Sequence, residues 1–106
     1  MNIQSTLKKI IDYAAFVAEP EKIILFGSMA TGNQNVYSDV DLLIITRNII
    51  DKKDAVTKIK SYTNQCSLKT DVLIYSCSEV QRELNISNSF VAAIYKFGKI
   101  VYKKSD

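Results

Sequence analysis

The stretch ILFGSMATGNQNVYSDVDLLII, residues 24–45, sets two aspartates, Asp39 and Asp41, against an apolar run. A carboxylate beside buried strand residues loses hydration, which is unfavourable unless a cation or hydrogen bonds compensate. The same stretch holds Gly27 and Gly32, two of only three glycines in the chain. It therefore combines a turn signal with carboxylates that require partners.

Apolar runs of strand length lie on both sides of this turn. They are KIILF at 22–26 and VDLLIIT at 40–46, and two more runs follow, TDVLIY at 70–75 and KIVYK at 99–103. Short apolar runs bounded by turn residues are typical of strands in a covered sheet. We expect the run at 70–75 to lie beside the run at 40–46, and the last run to form an edge strand.

Helical spacing of apolar residues predicts helices between these strands. The first helix ends before Pro20, and the second begins at an Asp51 cap and continues to about Asn64. The segment SMATG at 28–32 adds a short helical piece.

Two further helices are predicted before the last strand. Ser78 and Gln81 form a candidate capping box for the third helix, which runs through Leu84, and Gly98 ends the fourth. The expected apolar side of the fourth helix is Phe90, Ala93, Ile94 and Phe97. The order of elements predicts a mixed β-sheet packed against helices, an α+β (or two-layer α/β) fold forming a single domain over residues 1–106.

Composition narrows the class of protein. The chain is 47% hydrophobic and 24% charged, as in soluble globular proteins. No apolar run reaches about 18 residues and no signal-peptide pattern begins the chain, so we expect a cytoplasmic protein without a membrane span. Nucleic-acid binding is not expected, because there is no basic run and no strand with interleaved aromatic residues.

The residue types available restrict any metal site. The chain has no histidine and only two cysteines, Cys66 and Cys77, which are not in CxxC spacing. A structural zinc site needs about four Cys or His ligands, so zinc is excluded and the cysteines are expected to be plain thiols. A metal ion here would be a hard cation bound by oxygen, such as Mg²⁺.

The turn after the first strand has the features of a phosphate site. Gly27 lets the backbone approach a ligand closely, and Ser28 adds a hydroxyl donor where a helical segment begins. A Gly-Ser pair after a strand is also a common plain turn.

The aspartates make the phosphate interpretation more specific. Asp39 and Asp41 are two residues apart and share one face if both lie on a strand, and Asp71 opens the neighbouring strand in the same way. A polar turn with solvated carboxylates is the alternative interpretation. Three carboxylates beside a phosphate-binding turn suit two divalent ions that act on a triphosphate.

Gly27-Ser28, ten intervening residues and then Asp39-Val40-Asp41 resemble the signature of the nucleotidyltransferase superfamily that includes DNA polymerase beta. The segments SDVDLLI and TDVLIY resemble those of the minimal, MntA-type members of this superfamily, and the resemblance extends from about residue 22 to 102. Such members are usually partnered with HEPN-domain proteins. The resemblance implies that Gly27 and Ser28 hold the triphosphate of ATP. It also implies that Asp39, Asp41 and Asp71 bind Mg²⁺, Asp71 often helping to activate the acceptor hydroxyl.

The sequence departs from the family pattern within the same turn. Members commonly carry arginines where this chain has Met29 and Thr31, and Lys69 or Lys96 are candidate substitutes. The chain also lacks the helical acceptor-binding domain of larger relatives, so the acceptor site is expected to come from a homodimer mate or another protein.

Two functions from different classes follow from the resemblance. The first is an Mg²⁺-dependent enzyme that moves AMP from ATP to a hydroxyl, with a tyrosine of a HEPN-domain toxin as the favoured acceptor and a small hydroxylated molecule as a second choice. The other is a catalytically weak or inactive antitoxin that masks its partner by binding alone.

Overall fold

A computed structural model describes residues 3–27, 40–47 and 51–104 of the chain, and for residues 3 and 4 it describes the backbone. The elements in chain order are α1 (Ile3–Ala18), β1 (Lys22–Phe26), β2 (Val40–Thr46), α2 (Lys52–Gln65), β3 (Thr70–Ser76), α3 (Cys77–Leu84), α4 (Phe90–Phe97) and β4 (Lys99–Lys103). The short helical piece predicted at 28–32 lies outside the described residues.

The four strands form one sheet in the order β3-β2-β1-β4. β1 pairs antiparallel with both β2 and β4, whereas β2 and β3 run parallel and are joined by α2. A parallel pair needs a crossover connection of this kind. The mixed sheet confirms the predicted α+β class, the neighbouring positions of β2 and β3, and the edge position of β4.

Each face of the sheet carries its own core. On one face Val40, Leu42 and Ile44 of β2 pack with Ile10 of α1 and Ile59 of α2, all fully buried. A cluster on the other face is built from β1, β2, α3 and α4, with the members Ile24, Leu43, Ile45, Val80, Val91 and Ile94. Because successive strand residues alternate between faces, the nearly continuous apolar run of β2 serves both cores at once.

The cap of α3 differs from the prediction. β3 passes directly into α3, so the N-cap is Ser76 rather than Ser78. The Glu79 backbone N–H donates to Ser76 Oγ at 3.1 Å, and the Ser76 backbone N–H donates to Glu79 Oε1 at 2.8 Å. The predicted Ser78–Gln81 box was therefore wrong by two residues, because the strand extends one residue past Tyr75 and leaves no loop.

The orientation of α4 also differs from the prediction. Val91 and Ile94 are its buried residues, whereas Phe90 is 57% and Phe97 68% exposed. Val91 and Ile94 belong to the same core cluster as Leu43. The predicted apolar side was correct only for Ile94, since a sequence that is apolar around most of a helix does not determine which side faces the sheet.

An ion pair links the first turns of α2 and α3. Lys52 Nζ lies 2.6 Å from Glu79 Oε1, and both side chains are partly exposed. The hydrogen bond from Lys52, followed by that from the Ser76 backbone, lowers the pKa of Glu79 from 4.5 to about 2.

This lowered pKa makes stability depend on pH. A carboxyl whose folded-state pKa is depressed contributes stability above its ordinary pKa, and the contribution is lost as the pH falls through the folded-state value. We expect the difference in free energy of unfolding between wild type and Glu79→Gln to be largest above pH 4.5 and to disappear on approaching about pH 2. Urea unfolding at a series of pH values measures this difference. A Lys52→Gln background should reduce it, and a difference independent of pH would contradict the assignment.

Two smaller predictions concern membrane spans and thiols. Within the described ranges, no helix is long and apolar enough to cross a membrane. Cys66 and Cys77 are both free and half-buried, which confirms that they are plain thiols.

Candidate active site

Three of the predicted site residues lie at one edge of the sheet. Gly27 follows the end of β1, while Asp41 and Asp71 are each the second residue of β2 and β3. The register pairs Phe26 with Asp41 across the antiparallel strands and Asp41 with Asp71 across the parallel ones. Strand direction alone therefore gathers these residues, although they are far apart in the chain.

The backbone of Gly27 lies against the carboxylate of Asp41. Gly27 has φ +78°, a left-handed conformation that side chains disfavour. A Cβ built on Gly27 would overlap Asp41 Oδ2, with the carboxyl carbon 3.2 Å away. The absence of a side chain at Gly27 thus permits the Asp41 carboxylate to sit directly beside the turn.

Asp41 and Asp71 point to the same face of the sheet. Residues in register on neighbouring strands share a face and lie about 4.8 Å apart along the hydrogen-bonding direction. This is the α3–α4 face, because Leu43 and Leu73, two residues further along each strand, pack in the cluster on that face. Asp41 is half-buried and Asp71 is exposed, so Asp71 is the more solvent-accessible of the two carboxylates.

Other predicted site residues lie outside the described ranges. These are Ser28 and Asp39, together with Met29 and Thr31. Of the two candidate substitute lysines, Lys69 adjoins the site edge, where its carbonyl accepts from the Val40 N–H at 2.8 Å. Lys96 lies on α4 with its Nζ 5.3 Å from the centroid of the Phe97 ring. That either lysine replaces the arginines stays a prediction.

The donor set suits a hard cation. Within residues 3–27, 40–47 and 51–104, no group of three or more His, Cys, Asp or Glu side chains could hold a metal ion. Asp41 and Asp71 nevertheless place two carboxylates side by side in register, and Asp39 precedes β2 directly. Carboxylate oxygens are the ligands that Mg²⁺ prefers, so Asp41 and Asp71 are of the chemical type that the predicted metal needs, and the metal site stays a prediction.

An aromatic pair borders the site and was missed from the sequence. Phe26 and Phe90 meet edge to face with ring centroids 5.8 Å apart and an interplanar angle of 86°. The sequence pattern predicts Phe90 on the apolar side of α4 and Phe26 as the last residue of β1, and it indicates no contact between them. The signal in the sequence was the position of Phe26 directly before Gly27, whereas its pairing with Asp41 and its contact with Phe90 are known from the structure.

Comparison with known proteins identifies one protein family and several solved structures with a fold similar to that of this chain. A family model described as polymerase beta, nucleotidyltransferase matches residues 8–106. A candidate protein adenylyltransferase of Methanocaldococcus jannaschii, MJ0141, is 35% identical over 80 residues, which cover 74% of this chain and 75% of that protein.

Similar solved structures lie below 25% identity and therefore show the fold. A toxin–antitoxin crystal structure with AMP-PNP has a TM-score of 0.61 at 20% identity, covering 92% of this chain and 73% of that one. A mutant of the toxin–antitoxin MntA-HpeT gives 0.59 at 17%, covering 99% and 76%. A candidate nucleotidyltransferase from Sulfolobus solfataricus gives 0.52 at 21%, covering 92% and 78%.

Proposed function

Because the chain belongs to the polymerase beta nucleotidyltransferase family, we propose that it transfers AMP from ATP to a hydroxyl group of a partner protein. The observation that carries the proposal is the meeting of Gly27, Asp41 and Asp71 at one edge of the sheet. In this reaction the acceptor oxygen bonds to the α-phosphorus, the bond from that phosphorus to the bridging oxygen breaks, and pyrophosphate leaves. The proton of the hydroxyl passes to a carboxylate.

Each residue of the edge has a role in the proposal. Gly27 and Ser28 bind the phosphates through backbone N–H groups and the serine hydroxyl. Asp39 and Asp41, with Asp71, would hold two Mg²⁺ ions, which would supply charge neutralisation for the triphosphate and the leaving oxygen. Asp71, the exposed member, takes the proton of the acceptor hydroxyl because it is the carboxylate most open to an incoming group.

The acceptor class is inferred from the relatives. One relative is described as a candidate protein adenylyltransferase, and two similar folds come from toxin–antitoxin structures. These support a protein acceptor, and we propose a tyrosine of a HEPN-domain toxin, which would make this chain an antitoxin acting by modification in the cytoplasm. A homodimer mate is the other source for the remainder of the acceptor site.

A second candidate function is binding without turnover. Met29 and Thr31 stand where family members commonly carry arginines that steady phosphates or pair with acids. This substitution favours a protein that keeps the fold and neutralises its partner by masking. The two functions differ in one respect: masking does not require the carboxylates.

Label transfer separates the two functions. Wild-type protein, α-labelled ATP, Mg²⁺ and a candidate HEPN-domain partner should give a labelled partner, and EDTA should prevent it. An Asp39→Ala, Asp41→Ala double variant should transfer no label above background. If wild type and the double variant are equally inactive yet both form the complex and neutralise the partner, the binding function is correct.

A further inference from the structure

Two phenylalanines of α4 are exposed although the helix has buried apolar residues of its own. Phe90 is 57% exposed and Phe97 68% exposed, whereas Val91 and Ile94 attach the helix to the sheet. Core packing therefore does not account for these rings. Exposed aromatic residues beside a functional edge indicate a surface that a ligand covers.

The two rings border a cleft beside Gly27. The cleft has a volume of about 410 Å³, within the range of small-molecule sites. Its lining is apolar: Phe26, Gly27, Phe90, Ala93, Ile94, Phe97 and Gly98. The cleft thus offers aromatic faces directly next to the turn that the proposed function assigns to phosphates.

We propose that this cleft binds the base of the nucleoside triphosphate and that Phe90 is its stacking residue. The inference rests on the proposed nucleotidyl transfer, because the phosphate turn at Gly27 brings a nucleotide to the cleft. A flat aromatic base suits an apolar slot between rings, since bases stack on aromatic side chains whatever their hydrogen-bonding edge. Phe90 then acts on nucleotide affinity and leaves the transfer step to the carboxylates.

A second cleft explains why the first takes the base rather than the acceptor. It has a volume of about 350 Å³ and is lined by Asp71 with Lys60, Val72 and Leu73. Phe26 and Phe90 line both clefts, and their edge-to-face pair stands between them. Of these two clefts, Gly27 borders the first and Asp71 the second. A hydroxyl that gives its proton to Asp71 therefore enters through the second cleft.

Tryptophan fluorescence tests the position of the base. The chain has no tryptophan, so Phe90→Trp introduces a single reporter on the proposed stacking face. With Mg²⁺ present, ATP should quench this fluorescence, whereas tripolyphosphate, which has the phosphates without the base, should not. Phe16→Trp is the matched control, because Phe16 is 79% exposed on α1, and its fluorescence should respond to neither ligand.

Binding affinities give an independent test. Phe90→Ala should weaken ATP about tenfold, the size expected for loss of one base–aromatic stack, and should leave tripolyphosphate affinity unchanged. Phe16→Ala should change neither affinity. Phe90→Tyr, which keeps an aromatic ring, should bind ATP about as tightly as wild type. In label transfer, Phe90→Ala should raise the KM for ATP with little change in kcat.

Three results would overturn the base slot. An equal loss of ATP and tripolyphosphate affinity would mean that Phe90 shapes the phosphate turn. Unchanged ATP affinity with slower modification of the partner would assign the cleft to the acceptor. Wild-type protein that binds neither ligand would contradict the proposed nucleotidyl transfer itself, and the slot with it.

Discussion

Replacing Asp41 with asparagine is expected to reduce nucleotidyl transfer by at least about 100-fold while the fold persists. The neutral amide keeps the size of the side chain but removes a negative oxygen from the edge shared with Asp71. Loss of metal-based charge stabilisation is worth several kcal/mol in the transition state, and each 1.36 kcal/mol is a factor of ten in rate. Single-turnover label transfer at saturating ATP and Mg²⁺ measures the effect.

Urea unfolding of the same variant without metal checks that the fold persists, so that a loss of transfer is not a loss of folding. Asp12→Asn is the matched control, since Asp12 forms only an exposed i,i+4 pair with Lys8 at 3.0 Å on α1, and its activity should equal that of wild type. Normal transfer by Asp41→Asn would remove Asp41 from the catalytic site.

Replacing Gly27 with alanine is expected to abolish nucleotide binding and to destabilise the chain. The new Cβ would overlap the Asp41 carboxylate, and the left-handed φ of +78° costs about 1–2 kcal/mol for a residue with a side chain. Overpacking adds about 1–3 kcal/mol unless Asp41 moves away. Whether the backbone at residue 27 shifts or the Asp41 side chain moves, the turn no longer lies beside the Asp41 carboxylate. Urea unfolding and titration with Mg²⁺-ATP measure the two effects.

A double-mutant cycle isolates the steric part. In Gly27→Ala with Asp41→Ala the overlap is gone, so the two changes should be non-additive. The loss of stability in the double variant is therefore expected to be smaller than the sum of the losses in the two single variants. Strict additivity would show that the close approach of Gly27 and Asp41 is not a source of strain.

Sequence patterns were sufficient to predict the strands, the mixed sheet and the neighbouring positions of β2 and β3. Apolar run length and bounding turn residues predicted the strands, and the aspartate that opens both β2 and β3 predicted that Asp71 comes near Asp41 if the two strands are neighbours, as they are. The prediction succeeded because a strand has only two faces, so spacing in the chain translates directly into position at an edge.

Sequence patterns were weaker where packing decides between similar choices. In α4 the apolar residues Phe90, Val91, Ile94 and Phe97 offer several faces to the sheet, and shape complementarity with Leu43 selects one. At α3 two serines lie two residues apart, and only the full length of β3 determines which becomes the cap. For the same reason the aromatic border of the site could not be recognised before α4 was oriented.

The antiparallel and parallel pairings of β2 have a consequence for cooperativity. Gly27, Asp41 and Asp71 belong to the ends of three strands, and β2 is the strand bonded to both of the others. A ligand held at that edge therefore bridges all three strands and favours only conformations in which the whole sheet is assembled. By linkage, the binding free energy of the ligand increases the free energy of global unfolding of the sheet, and not merely the free energy of opening one loop.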